Sequence, residues 1–185
     1  MALKATIFKA ELQIADMDRN YYHDNALTIA RHPSETDERM MVRLLAYAVH
    51  ASEALSFGKG LSTDDEPDLW QKDLTGAIEL WIDVGQPDER RLRRACGRAA
   101  QVYVYGYGGH GTGIWWDQIA GKLERSRNLT VMSLPPAAGQ ALARLARRNM
   151  QLNCTIQDGQ IWLADAGARV EVELTALKSP ALAAR

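Results

Sequence analysis

The chain has 185 residues, of which 46% are hydrophobic and 24% are charged, as is typical of a globular protein of about one domain. Its formal net charge of -1 excludes a general attraction to nucleic acid or to anionic membranes, so any polyanion would need a local basic surface. Cys96 and Cys154 are too few for a disulfide framework or a zinc site. No apolar run is long enough for a signal peptide or a membrane span, so we expect a cytoplasmic protein without a membrane partner.

The first third of the chain predicts a β-hairpin and then a helix. Apolar alternation favours strands over residues 3–14 and 20–31. Ser34 is the predicted N-cap of the helix, and Glu35 and Arg39 form a favourable i,i+4 pair. The apolar stripe of this helix consists of Met40, Met41, Leu44, Leu45 and Ala48.

The rest of the chain predicts further strands and helices and no repeat or linker. A helix start signal stands at Gly85 to Asp88, and Asp158-Gly159 marks a tight turn between two strands. The glycine-rich stretch 106–113 favours a mobile surface loop. The predicted strands are 54–61, 77–84, 101–107, 129–134, 150–156, 160–164 and 169–177, and the predicted helices after position 85 are 88–99, 114–123 and 137–148. This order indicates one mixed-sheet α/β or α+β domain over residues 1–178, with a frayed tail over residues 179–185.

Carboxylates are concentrated between positions 64 and 83. Asp64, Asp65, Glu66 and Asp68 surround Pro67, and Glu79 and Asp83 lie inside the apolar strand. A carboxylate in a strand is costly unless it is paired, hydrogen-bonded or bound to a metal. The spacing from Pro67-Asp68 to Glu79-Leu80-Trp81 follows the plan of a PD-(D/E)xK nuclease core, whose carboxylates hold Mg²⁺ or Mn²⁺. Asp68 and Glu79 are therefore the predicted metal ligands, and Glu38 of the first helix could point to the same place.

A lysine that completes this pattern is missing, because Trp81 occupies its position. Lys59, Lys72 or an arginine of the 88–99 helix could supply the positive charge instead, and Lys59 is the predicted catalytic cation. An arginine would stabilise charge without acting as a base. The alternative is that residues 64–68 form a solvated turn and that Glu79 pairs with an arginine such as Arg91.

Three arginines, Arg91, Arg94 and Arg98, share one face of the 88–99 helix. They could hold the phosphates of a nucleic acid, but a solvated helix face offset by Asp88 and Glu89 is the simpler interpretation. The segment GYGGHGTG matches neither a Walker A motif nor a dinucleotide fingerprint.

Several long segments in the same order resemble the YaeQ family of proteobacterial proteins: MALKATIFKAELQIADMDRNYY, LTIARHPSETDERMMVRLLAYA, GLSTDDEPDLW, IELWIDVGQPDERR and TIQDGQIWL. The resemblance covers nearly the whole chain. It implies a variant of the restriction-endonuclease-like PD-(D/E)xK core, a central mixed sheet flanked by helices with extra antiparallel strands from both termini. Carried over by motif, the site carboxylates would be Glu38, Asp68 and Glu79, with Glu53 as the alternative to Glu38.

Two functions are compatible with this resemblance. The first is a Mg²⁺- or Mn²⁺-dependent nuclease in which Asp68 and Glu79 hold the metal, Glu38 assists, and Lys59 or an arginine stabilises charge. The second is a catalytically inactive module on the same fold, which binds nucleic acid or a protein through Arg91, Arg94 and Arg98.

Overall fold

A computed structural model describes residues 4–59, 61 and 63–180. Within these residues the chain forms eleven strands: β1 (Thr6–Asp16), β2 (Tyr21–Arg31), β3 (Leu55–Phe57), β4 (Leu69–Lys72), β5 (Ile78–Val84), β6 (Ala99–Gly106), β7 (Leu129–Ser133), β8 (Asn149–Gln157), β9 (Gln160–Ala164), β10 (Arg169–Val172) and β11 (Thr175–Lys178). The same residues form four α-helices: α1 (Asp37–His50), α2 (Glu89–Arg98), α3 (His110–Ile119) and α4 (Pro136–Arg144). This mixture confirms the predicted α/β or α+β class.

The described residues divide into two compact units. The hairpin unit comprises residues 4–51 and 135–173, and the crossover unit comprises residues 52–59, 61, 63–134 and 174–180. Each unit is built around a sheet of its own, whereas the sequence suggested one central sheet. The single domain expected over residues 1–178 stays a prediction.

The hairpin unit contains a five-stranded sheet in the order β10-β9-β8-β1-β2. β1 and β2 pair antiparallel over their full lengths, from Thr6 opposite Arg31 to Asp16 opposite Tyr21, which confirms the predicted hairpin. β8 runs parallel to β1, and β9 and β10 continue the sheet antiparallel through the predicted Asp158-Gly159 turn. Alternating buried residues of β1, among them Leu12 and Ile14, supply one face of the core.

Helix α1 buries the predicted apolar stripe, and its five members are all fully buried. The cap differs from the prediction, because Thr36 and not Ser34 caps the helix, its Oγ1 accepting a hydrogen bond from the Arg39 N–H at 3.1 Å. The predicted pair of Glu35 and Arg39 is confirmed at 2.8 Å. Helix α4 packs against α1 and ends at Arg144, four residues before its predicted end.

The crossover unit contains a six-stranded sheet in the order β11-β7-β6-β5-β4-β3. β5, β6 and β7 run parallel, and α2 and α3 are the connections between them. Two differences from the sequence stand out. The last predicted strand, 169–177, is divided between β10 and β11, which belong to different sheets, and the segment 106–113 becomes helical from His110 onward.

The core of the crossover unit lies between this sheet and its two helices. Leu92 of α2 and Trp116 of α3 pack on Trp81, Val102 and Val104 of the central strands. No helix among the residues described is long and apolar enough to span a bilayer.

Candidate functional site

Two buried aspartates meet where β4 begins and β5 ends. The antiparallel register sets Leu69 opposite Ile82, so Asp68 and Asp83 are the next residues on the two strands. Each is only 2% exposed. The Asp68 Oδ2 atom accepts a hydrogen bond from the Val84 N–H at 2.8 Å, which fixes the carboxylate to the end of β5. Because ligands of open α/β sheets bind beyond the carboxyl ends of parallel strands, this is the expected place for a site.

Arg91, in the first turn of α2, neutralises Asp83. Its Nε donates to Asp83 Oδ2 at 2.8 Å and its Nη2 donates to Oδ1 at 2.9 Å, which is the bidentate geometry of a strong ion pair. The hydrogen bond with Asp83 raises the pKa of Arg91. Asp88, the N-cap of α2, places Arg91 at this distance by accepting a hydrogen bond from the Arg91 N–H at 2.8 Å.

The outer N–H groups of Arg91 hold the acidic loop, residues 63–66. Nη1 donates to the Asp64 carbonyl and Nη2 to the Glu66 carbonyl, both at 2.9 Å. Arg98 donates from Nη1 to the Asp65 carbonyl at 3.1 Å, and the Arg94 Nη1 lies 3.6 Å from Asp65 Oδ1. The acidic loop is therefore fastened to the arginine face of α2, and mostly through its backbone carbonyls.

Trp81 stands between Asp83 and Glu79 on the same face of β5. It is 1% exposed, and the guanidinium carbons of Arg98 and Arg91 lie 5.3 and 5.7 Å from its ring. The ring of Trp70 on β4 meets it edge-on at 6.3 Å. The residue at the lysine position of the sequence pattern is therefore part of a packed aromatic and cationic layer.

Glu79 lies away from the two aspartates. It is exposed near the start of β5, and its Oε2 accepts a hydrogen bond from Gln71 Nε2 at 2.7 Å. Four residues of extended strand, about 13 Å, separate it from Asp83, which adjoins Asp68. The expected meeting of Asp68 with Glu79 is therefore wrong, and so is the alternative pairing of Glu79 with Arg91. Glu79 and Asp68 stand near opposite ends of the β4–β5 pair.

Asp83 is the carboxylate that the sequence pattern missed as a site residue. Its burial in an apolar run was visible in the sequence, and the turn Asp73–Gly76 gave a further signal. Asp73 Oδ1 accepts hydrogen bonds from the N–H groups of Thr75 and Ala77, which is a typical Asx turn. Counting outward from a hairpin at this turn brings Asp68 to within one residue of Asp83, and the irregularity at Gln71 and Lys72, which the structure reveals, sets the two opposite each other.

The predicted lysine lies beside the acidic loop. The Lys59 side chain is 72% exposed, and its Nζ lies 3.9 Å from Glu66 Oε1, while the Lys59 N–H donates to Glu66 Oε2 at 3.0 Å. Lys72 lies with its Nζ 3.7 Å from the ring centre of Trp70. Glu66 is thus the carboxylate that Lys59 is shown to contact.

The helix carboxylate Glu38 belongs to the hairpin unit. It is half-buried in the first turn of α1, next to Gly139 of α4, where any side chain larger than hydrogen would overlap Glu38 Oε1. Its alternative, Glu53, is exposed in the turn after α1, so it is not a helix residue. Glu53 lies in the crossover unit. The catalytic roles of both residues stay predictions.

Three carboxylate oxygens of the two aspartates are taken up by hydrogen bonds and are not open to a metal ion in this arrangement. Both oxygens of Asp83 accept from Arg91, and Asp68 Oδ2 accepts from a backbone N–H. Among residues 4–59, 61 and 63–180, no three His, Cys, Asp or Glu side chains are placed to share a metal ion. The arrangement is an ion pair that anchors a loop, with further arginines exposed beside it.

Comparisons with known proteins agree with the sequence resemblance. Residues 1–174 match the protein family described as YaeQ protein. The chain belongs to the YaeQ family. It is 49% identical to the uncharacterized protein YaeQ of Salmonella typhi and 48% identical to that of Escherichia coli K12, in each case over 97% of this chain and 99% of the relative.

Two crystal structures of YaeQ proteins have the same fold. The structure from Xanthomonas axonopodis pv. citri has a TM-score of 0.91 and 50% sequence identity, covering 95% of this chain and 99% of that one. The structure from Pseudomonas syringae also has a TM-score of 0.91, at 38% identity, covering 95% of this chain and 97% of that one. The arrangement of strands and helices described above is therefore the YaeQ fold.

Proposed function

We propose that this YaeQ-family protein binds nucleic acid through the exposed arginines of α2 and does not cleave it. The fold is, in this proposal, a variant of the PD-(D/E)xK core. Two features support the relationship: Asp68 follows Pro67 at the start of β4, and a second carboxylate, Asp83, lies beside it on β5. Fold alone does not carry the activity of a nuclease, because inactive binding proteins use the same folds.

The bidentate pair of Arg91 with Asp83 carries this proposal. Metal-dependent cleavage of a phosphodiester needs carboxylate oxygens that are open to the cation and a further cation for the developing charge. Here the guanidinium of Arg91 takes the place of the metal at Asp83. The buried Trp81 takes the place of the lysine in the pattern. With Arg91 in place of the metal and Trp81 in place of the lysine, the site stays packed. It lacks the cations that hydrolysis would use.

The binding surface is the outer side of α2. Five of the ten residues between Glu89 and Arg98 are arginines, and only one is acidic. Arg90, Arg93, Arg94 and Arg98 are exposed, while Arg91 is committed to Asp83. Exposed guanidinium groups on one helix can contact successive phosphates, and this local positive charge compensates for the neutral balance of the chain as a whole.

Salt-dependent binding tests this proposal. The measurement is the fluorescence anisotropy of labelled single-stranded and duplex oligonucleotides, titrated with protein at several salt concentrations. We expect affinity at low salt that falls steeply as salt rises, and a slope that is smaller by about 2 in an Arg94→Gln/Arg98→Gln variant.

An Arg144→Gln/Arg147→Gln variant is the matched control, because it removes the same charge from exposed positions of the hairpin unit. Its salt slope should equal that of the wild type. Absence of binding at low salt, or equal losses in the two double variants, would contradict the proposal.

A metal-dependent nuclease is the second candidate, and the juxtaposition of Asp68 and Asp83 favours it. Binding of Mg²⁺ or Mn²⁺ there would require Arg91 to leave Asp83. Calorimetry with Mn²⁺ distinguishes the candidates: the nuclease requires binding that Asp68→Ala and Asp83→Ala abolish and that Glu79→Ala leaves intact. Our proposal predicts no binding that depends on either aspartate.

A further inference from the structure

The outer strand of the hairpin unit is much longer than the other sheet edges. β2 contains 11 residues and lies at the end of its sheet, whereas the edge strands β10, β11 and β3 contain 4, 4 and 3 residues. Short edges are one means by which proteins avoid pairing with other chains. β2 lacks this protection, and it also contains no proline, lysine or bulge.

Two hydrogen bonds show which residues of β2 direct their backbone groups outward. The Lys9 N–H donates to the Arg148 carbonyl, away from β2, so Thr28, the register partner of Lys9, is not hydrogen-bonded to β1. The Ala30 carbonyl accepts from Arg43 Nη2 at 3.0 Å, which is consistent with the same direction. By alternation, the backbone N–H and C=O groups of five residues point outward: Tyr22, Asp24, Ala26, Thr28 and Ala30.

These five residues are exposed, and three of them have small side chains that leave the backbone accessible. Tyr22, the largest, is 54% exposed. Apart from the Ala30 carbonyl, which Arg43 holds, the outward backbone groups form a row that can serve as a template for another extended strand, which pairs through main-chain hydrogen bonds.

We propose that β2 pairs antiparallel with β2 of a second copy of this chain, with the twofold axis at Ala26. Ala26 is the midpoint of Tyr21–Arg31, so this register uses the whole strand. It sets Tyr22 opposite Ala30 and Asp24 opposite Thr28 of the other copy, and no like charges face each other. A register centred on Asp24 would oppose two carboxylates and is disfavoured. The two five-stranded sheets join into one through about eight hydrogen bonds, because the Ala30 carbonyl of each copy is held by its own Arg43.

Molar mass measured by light scattering, over a range of protein concentrations, tests the proposal. We expect twice the 20.6 kDa of the chain for the wild type. Ala26→Pro removes an outward N–H that β1 does not use, so this variant should fold and be a monomer. Ala26→Thr keeps the N–H and is the matched control, which should remain a dimer. A wild type that is monomeric throughout, or a dimer that persists in Ala26→Pro, would overturn the proposal.

Amide hydrogen exchange on the wild-type protein tests the pairing of β2 without a variant. The Asp24, Ala26 and Thr28 amides should exchange slowly, and more slowly as protein concentration rises. The amides of Asn25 and Leu27, which face β1, should be protected at every concentration. Outward amides that exchange at the rate of exposed loops would overturn the proposal and leave this edge to an extended peptide of another protein.

Discussion

Each unit contains a buried carboxylate held bidentately by an arginine, but the two pairs differ in what else the arginine contacts. In the hairpin unit, Arg43 donates from Nε and Nη2 to Glu35, both at 2.7 Å, and Arg39 adds a third bond at 2.8 Å. Glu35 and Arg43 are 6% and 4% exposed. In the crossover unit, Arg91 holds Asp83 and also two carbonyls of the acidic loop.

A buried ion pair is therefore not in itself a sign of a functional site. Beyond Glu35, Arg43 donates only to the Ala30 carbonyl near the end of β2 among the hydrogen bonds described above, so the pair joins regular elements of one unit and its role is structural. The Asp83 pair joins a strand end to a surface loop and lies under exposed arginines. Four substitutions or conditions separate these roles, and the largest effect is expected in the hairpin unit.

The first prediction is that Glu35→Gln lowers the free energy of unfolding by about 3–5 kcal/mol, because it leaves the charge of Arg43 buried without its partner. Urea denaturation measures this loss. A Glu35→Leu/Arg43→Met double variant should recover most of it, since no buried charge remains. A loss below about 1 kcal/mol in the single variant would show that water reaches Arg43.

The second prediction is that Arg91→Ala costs about 2–3 kcal/mol and releases the acidic loop. The cost is smaller than in the hairpin unit because the Arg91 side chain is 21% exposed. Hydrogen exchange over residues 63–66 should accelerate. Arg94→Ala is the matched control and should leave this exchange unchanged, because its 3.6 Å contact with Asp65 is exposed. Equal acceleration in both variants would contradict the anchoring role of Arg91.

The third prediction concerns acid and the hairpin unit. Burial, and then the charge of Arg19, lowers the pKa of His50 from 6.5 to about 4. The unfolded chain therefore binds a proton that the folded chain does not, so the unfolding free energy falls as pH decreases from about 6.5 to about 4. We expect a loss of the order of 2–3 kcal/mol, and a His50→Gln variant that lacks this part of it. Parallel stability curves for the two proteins would contradict the assignment.

The fourth prediction concerns Asp65, whose side chain is 83% exposed. Asp65→Asn should change stability by less than about 0.5 kcal/mol, because exposed ion pairs contribute little. It should nevertheless raise affinity for a labelled oligonucleotide, since Arg94 loses its competing carboxylate. Glu124→Gln removes an equal charge elsewhere on the crossover unit and should have the smaller effect on the anisotropy titration.

The sequence predicted elements well where one local pattern decided them. Alternation identified the β1–β2 hairpin, and Asp88 identified the start of α2. Prediction from the sequence failed where two local signals competed. Ser34 and Thr36 are both suitable caps, and only the path of the chain selects Thr36. The assignment of β11 to the other sheet is a long-range choice that no local pattern contains.

The candidate site was harder to predict, because it depends on pairing and not on spacing. The motif pointed to Asp68 and Glu79, but strand register decides which carboxylate lies opposite Asp68. Arg91, the bidentate partner of Asp83, belongs to the predicted arginine face. It differs from Arg94 and Arg98 because its side chain turns inward to the buried aspartate. A helical periodicity places these arginines on one face without telling which of them turns inward.

The most direct test of binding without cleavage is one incubation of the wild-type protein with a labelled single-stranded oligonucleotide at low salt in the presence of Mn²⁺. Anisotropy measures binding, and denaturing electrophoresis measures the integrity of the strand. We predict an increase in anisotropy that salt abolishes, with the oligonucleotide intact. Cleavage by the wild type that is lost in both Asp68→Asn and Asp83→Asn would contradict the account and establish a metal-dependent nuclease.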